Sequence, residues 1–254
     1  MTDPESRTRD APSDPDPLES SRPPMSESVA DSDAAIRLNG ADLVPDVSGA
    51  LWWPARSVLV VADLHLEKGS SYSRHNLPPY DSRATLERLQ AVIDRRRPEH
   101  VICLGDSFHD RRAADRLADD ERAQIQTLAA RVNWTWIAGN HDPAPPADWG
   151  GTVAQELTLG PLVFRHAADP AHRSAGEVSG HYHPKTRVRV RGKGVSARCF
   201  VADGRRLILP AFGAYTGGLS VLDPAIANLF PRNFTAHLIG KRAVYPYPRH
   251  ALVG

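Results

Sequence analysis

The 254-residue chain is 41% hydrophobic and 24% charged, with 22 prolines and 18 glycines. That composition supports one large domain or two small ones and excludes a fibrous or wholly disordered protein. No apolar run approaches the roughly 20 residues a membrane helix needs, and the opening MTDPESRTRD has no apolar leader, so a soluble, cytoplasmic protein with no membrane contact is expected. Cys103 and Cys199 are too few for a disulfide framework or a cysteine-rich zinc site, and each sits in an apolar stretch that suits a buried, reduced thiol.

The net charge of +1 conceals a division. Residues 1–34 hold nine Asp or Glu against three Arg, and six prolines, whereas the remainder carries 28 basic and 21 acidic side chains. So polar a segment buries too little apolar surface to offset its ordering entropy, so 1–34 is expected to be a disordered acidic, Pro-rich tail ahead of a single domain over 35–254. Met25 within it is an alternative start. The basic charge is mostly arginine, 27 against 4 lysines, a balance that suits a polyanion, although genome composition also produces it.

In chain order, residues 35–62 read as short apolar runs broken by Asn39-Gly40, Ser48-Gly49 and Pro54, which is hairpin punctuation before a buried strand at Val58–Ala62. Asp81 or Ser82 can cap a helix with Leu86, Leu89, Val92 and Ile93 on one face, ended by Pro98. A strand over 101–104, a second helix over roughly 113–131 and a strand over 134–138 follow. The alternation predicts right-handed crossovers and a largely parallel sheet. Beyond Pro143 the text turns to short strands and turns, with Asp203-Gly204 at a hairpin, so two sheets with helices on their outer faces are expected.

Polar residues able to hold a metal follow these strands. They are Asp63 and His65, Asp106, Asn140-His141-Asp142, His166, and His181 with His183. Carboxyl ends of parallel strands form the crevice of an open α/β sheet, so residues distant in sequence can converge there. If the chain stays extended, i, i+2 spacing sends Asp63 and His65 to one side; alone, Asp-x-His is as readily a solvated loop. Together, two Asp, one Asn and four His form an oxygen and nitrogen set too large for one tetrahedral zinc. They suit two cations roughly 3.5 to 4 Å apart, which lower the pKa of a shared water and clamp both oxygens of an in-line displacement at phosphorus. Mn²⁺ is taken first, with Fe²⁺ or Zn²⁺ admitted by the same ligands.

The ordered blocks Asp-x-His, Gly-Asp, Gly-Asn-His-Asp, a lone His and Gly-His-x-His, over 63–183, resemble the calcineurin-like metallophosphoesterase superfamily. The resemblance implies an α/β fold built as a four-layer α-β-β-α sandwich. It assigns Asp63, His65 and His183 to one metal, Asn140, His166 and His181 to the other, and Asp106 to both. His141 would donate to the phosphate or the departing oxygen, held by Asp142. The longer text, including ADLHLEKGSSY, LPPYDSRATLERL, GEVSGHYHPK and LPAFGAYTGGL, is similar to the DNA-ligase-associated metallophosphoesterases, the DNA damage response endonucleases of the PdeM type. That similarity implies metal-dependent cleavage of DNA in repair, in functional association with an ATP-dependent DNA ligase, a helicase and an exonuclease.

Arg187, Arg189 and Arg191 alternate with Val188 and Val190, which places the three arginines on one face of a strand where they can track phosphates or simply face solvent. Lys68, His109 and Arg165 neighbour the motifs and are further candidates for phosphate contact. PAFGAYTGG, 210–218, is a candidate rim, and Trp52, Trp53, Trp134 and Trp136 read as core. Two other functions use the same residues: a phosphodiesterase for a cyclic nucleotide or a nucleoside-diphosphate lipid precursor, and a non-catalytic scaffold of this fold.

Overall fold

A computed structural model describes residues 35–66, 80–108, 117–140, 147–172, 174–214 and 216–254. The expected tail, 1–34, lies outside the described residues, as do Lys68, His109, His141 and Asp142, to which the sequence reading assigns roles.

The first sheet has seven strands in sequence order: β1 (Ile36–Leu38), β2 (Ala41–Pro45), β3 (Leu51–Trp53), β4 (Val58–Val61), β5 (His100–Leu104), β6 (Asn133–Ile137) and β7 (Thr152–Ala154). β1 to β4 form antiparallel pairs, and β4 to β7 run parallel. Asn39 and Gly40, with φ of 46° and 84°, make the two-residue turn between Leu38 and Ala41. A turn with two left-handed residues matches the twist of a hairpin, which is why Asn-Gly marks it. The central strands are mostly apolar, and β4 is so at every position, because both faces are covered. Leu59, Val61, Val101, Cys103, Trp134 and Trp136 face a core shared with the helices, whereas Val58, Val60, Ile102, Leu104 and Ile137 face the second sheet.

Helix α1 (Tyr80–Arg96) presents Leu86, Leu89, Val92 and Ile93 to the first core. It begins ahead of the expected caps, so Ser82 is buried inside it, and it stops where Arg97 turns left-handed before Pro98. Helix α2 (Asp119–Arg131) opens on Asp119, Asp120 and Glu121 and closes on Arg131, charges that complement its dipole. It starts later than the expected 113, and Leu117 reaches the core from just before it.

The second sheet has nine strands: β8 (Glu156–Leu159), β9 (Leu162–Arg165), β10 (Glu177–Ser179), β11 (Lys185–Val190), β12 (Lys193–Ala202), β13 (Arg206–Ile208), β14 (Thr235–Ile239), β15 (Val244–Pro248) and β16 (Leu252–Val253). β9, β10 and β13 are parallel neighbours and the other pairs are antiparallel. Phe164, Val178, Phe200, Leu207 and Leu209 meet the first sheet. The outer face, with Cys199, Val201, Ile208 and Leu238, is covered by the one-turn helix α3 (Pro224–Ala227) and the coil around it, which contribute Ile226, Leu229 and Phe230. The α-β-β-α order is thus present with a thin fourth layer. Both cysteines are buried and free, and no helix among the described residues is long and apolar enough to cross a membrane.

His237 stands opposite Phe200 on β14, its side chain 9% exposed and its Nδ1 without a hydrogen-bond partner. Burial pushes its pKa down to about 4. The unfolded chain, at about 6.5, therefore binds a proton that the folded chain rejects, so stability is complete above pH 6.5 and falls as pH drops towards 4. The loss from this residue at pH 5 is on the order of 2 kcal/mol. His237→Leu is expected to narrow the difference in melting temperature between pH 7 and pH 5 by several degrees; an unchanged difference would assign the acid sensitivity elsewhere.

Candidate metal centre

The geometry of this centre begins in the backbone at the ends of the strands. Asp63 and His65 follow β4, Asp106 follows β5, Asn140 follows β6, His166 follows β9, and His181 and His183 follow β10. Asp63, His65, Asp106, His181 and His183 all have positive φ, between 45° and 73°, and they are five of the nine such non-glycine residues described. Each costs about 1 kcal/mol or more, so their concentration at one place marks a conformation held for function rather than for local comfort. The expected extended geometry of Asp63-Leu64-His65 is thereby corrected. The two side chains converge because both residues are left-handed, not because a strand alternates.

Two groups result. Asp63, His65 and His183 offer ligand atoms within 4.8 Å of one another, and so do Asp106, His166 and His181. In the first, His65 Nε2 lies 3.1 Å from His183 Nε2, and His183 Nε2 lies 3.6 Å from Asp63 Oδ1. In the second, His166 Nε2 lies 3.0 Å from His181 Nδ1 and 3.4 Å from Asp106 Oδ2. Asn140 joins the second group, its Oδ1 2.7 Å from His166 Nε2. Both carboxylates are buried, Asp63 at 0% and Asp106 at 3% exposure.

These residues fit divalent cations on the chemistry of their donors. The Leu104 carbonyl, 2.9 Å from His166 Nδ1, accepts that ring proton, which leaves the Nε2 lone pair facing the oxygens of Asn140 and Asp106. Electron pairs so close repel unless a positive centre lies among them. With no metal, a proton serves. Burial lowers the His166 pKa, but the hydrogen bond to Asp106 and the charges of Asp63 and Asp106, with the Leu104 carbonyl, raise it to about 9. Asp63 Oδ1, moreover, is buried without a hydrogen bond, while Oδ2 accepts from the His181 backbone N–H at 2.8 Å.

Beside His183 a cleft of about 460 Å³ is lined by Arg88, Lys185, Arg198, Ala211, Gly213, Ala214, Thr216 and Gly217, so these described residues of the expected rim lie beside His183. Sequence reading assigned nothing to Arg88 or Arg198; an arginine interrupting the apolar run of β12 was the available signal. Arg187 and Arg189 are exposed along β11 as expected, but Arg191 occupies the hairpin turn, at φ 49°, and leaves the strand face. Arg165 is drawn into ion pairs with Glu156 at 2.9 Å, Asp169 at 3.4 Å and Glu177 at 3.6 Å. Its charge is compensated by the chain's own carboxylates. Trp53, Trp134 and Trp136 are buried, and Trp52 packs at the core's edge.

Paired carboxylate and imidazole clusters at the joined ends of two sheets define a metal-dependent hydrolase of phosphoesters. A model of the calcineurin-like phosphoesterase family matches residues 56–201, and the chain belongs to that family. The crystal structure of Pseudomonas putida nuclease MPE is similar at 29% sequence identity, covering 84% of this chain and 98% of that one, with a TM-score of 0.65. The structure of Yfce, a phosphoesterase from E. coli, aligns at 13% identity over 76% of this chain and 98% of that one, with a TM-score of 0.39. Comparison with curated protein sequences gives no match.

The centre depends on Gly180, where an added Cβ would stand 2.6 Å from Asp63 Oδ2 and 2.7 Å from the Ala62 Cβ. Gly180→Ala is expected to displace the Asp63 carboxylate and lower metal content while the chain stays folded. Equilibrium dialysis with elemental analysis, beside a melting curve, measures both; full metal content in the variant would show that the carboxylate tolerates the shift.

Proposed function

We propose that the protein is a dinuclear-metal phosphodiesterase that cleaves DNA by in-line attack of water, acting in the cytoplasm in DNA repair. The observation that carries this reading is the pairing of Asp63, His65 and His183 with a second group of Asp106, His166 and His181 at one seam. Similarity over most of the chain to a protein described as a nuclease supports a polynucleotide substrate. Two reduced, buried cysteines accord with a reducing compartment. Functional association with an ATP-dependent DNA ligase, a helicase and an exonuclease rests on the motif resemblance alone.

Asp63, His65 and His183 would hold one cation, Asn140, His166 and His181 the second, and Asp106 both. Bound divalent ions, Mn²⁺ ahead of Fe²⁺ or Zn²⁺, supply Lewis acidity towards water and phosphate oxygen. The chain does the positioning. The Leu104 carbonyl holds the His166 ring in one tautomer, and the His181 N–H holds one Asp63 oxygen so that the other faces His183. When water forms its bond to phosphorus on one side, the P–O bond opposite breaks. The attacking water releases a proton to solvent, and the departing oxygen takes one from His141, a role that the motif resemblance gives to His141 together with Asp142.

Asp106→Ala is expected to abolish turnover more completely than Ala at any one terminal ligand, because a shared carboxylate sets the spacing of both ions. Turnover measured beside metal stoichiometry tests it, and two ions bound with near-normal turnover would remove the shared role. His141→Ala is expected to keep both ions and slow DNA cleavage by about 10²- to 10⁴-fold, with a much smaller defect on an aryl phosphodiester, whose leaving group departs unprotonated. Equal defects on the two substrates would assign His141 to phosphate binding instead.

A further inference from the structure

Among the described residues, the cleft beside His183 carries an unbalanced charge: its lining includes Arg88, Lys185 and Arg198 and no aspartate or glutamate. The anchors of each cation among the described residues are neutral carbonyls. Arg88 donates to the Phe212 carbonyl and lies over the Phe212 ring, 4.8 Å from its centroid. Arg198 bridges the Ala211 carbonyl at 3.0 Å and the Ser48 carbonyl at 2.8 Å. Lys185 Nζ reaches the Thr216 carbonyl at 3.4 Å. None of the three forms an ion pair among the described residues, in contrast to Arg165 and Arg206, each paired with Glu177.

Holding guanidinium groups close together and partly out of water costs free energy that neutral carbonyls do not return. Burial, and then the charge of Arg88, bring Arg198 down to about 10. The anchors fix both forks in advance, so an incoming anion does not have to order them. Planar guanidinium forks with an ammonium group match phosphate oxygens. The small residues Ala197, Ala211, Gly213, Ala214 and Gly217 leave room for more than the phosphate itself. Because His183 forms part of the wall, the cleft opens beside the phosphate that reacts.

We propose that this cleft is a second phosphate subsite, which takes a phosphodiester of the substrate strand flanking the one held at the metal centre. It rests on the polynucleotide reading above and refines it. The subsite makes the enzyme prefer a substrate with at least two phosphates, and it places Arg88, Lys185 and Arg198 as residues that set specificity.

The test compares a thymidine dinucleotide, with one phosphodiester, and a trinucleotide, with two, using the Mn²⁺-loaded full chain. The parent is expected to show a KM about tenfold lower for the trinucleotide, the value of one charge-assisted contact. Arg88→Gln and Lys185→Gln, made separately, are expected to bring the ratio of the two KM values close to one, and Arg88→Lys to restore part of it. The ratio is read rather than the rate, so a general loss of folded protein moves both substrates together. A parent that cleaves both with equal KM, or variants that keep the parent's ratio, would overturn the subsite and leave DNA cleavage standing. If the parent hydrolyses an aryl phosphodiester but no oligonucleotide, the polynucleotide reading fails. Calorimetry with pyrophosphate on the metal-free chain then decides the subsite separately: about tenfold weaker binding in Arg88→Gln supports it, and equal binding overturns it.

Discussion

Two carboxylates buried where two sheets meet impose the constraint from which the rest of the site follows. An uncompensated charge in so dry a place is costly enough to unfold a domain of ordinary stability, and Asp63 and Asp106 are almost wholly inaccessible. The surrounding groups answer that requirement. A backbone N–H meets one oxygen of Asp63, and imidazoles gather round the others. Gly105 passes so close to His166 that a Cβ there would lie 2.5 Å from Nδ1. Glycine permits that approach and also the φ of 73°.

Neither sheet supplies a complete donor set. Asp63 and His65 come from the first sheet and are completed by His183 from the second, while Asp106 from the first is completed by His166 and His181 from the second. The spacing of the donors is therefore set by what lies between the sheets. Val60, Ala62, Ile102 and Leu104 pack there against Phe164, Val178, Phe200 and Leu209. Interiors are packed too densely for a methyl group to be lost without movement, so the chemistry of the centre and the packing of this core are one problem.

Much of this was legible in the text, and for identifiable reasons. Buried parallel strands read as unbroken apolar runs, and Asn39-Gly40 reads as a hairpin because its conformation suits few other pairs. The candidate ligands were legible because strand ends in such folds converge. Their left-handed conformations were not, since Asp63 and His65 look equally well placed on an extended chain. The ion pairs of Arg165 were not legible, because Glu156, Asp169 and Glu177 adjoin it only in space. Arg88 was hidden for a similar reason, as an ordinary charged residue beside the apolar face of α1 whose carbonyl partner, Phe212, lies more than a hundred positions later.

The segment after β13 returns to the far end of β4, where the N–H of Phe212 meets the Ala62 carbonyl at 2.7 Å and that of Gly213 meets the Asp63 carbonyl at 3.1 Å. A growing chain emerges N-terminus first, and domains assemble in that order. β4, β5 and β6 can pair early, yet their acids then have neither the imidazoles of 166–183 nor the backbone of 212–213 to hold them in place. The ion-binding shape is thus a late product of synthesis, and a chain halted before residue 213 has the acids but not the vessel. The backbone that braces Asp63 comes from a part of the chain some 150 residues after it, so the arrangement of the acids is a property of the assembled pair of sheets and not of the first sheet alone.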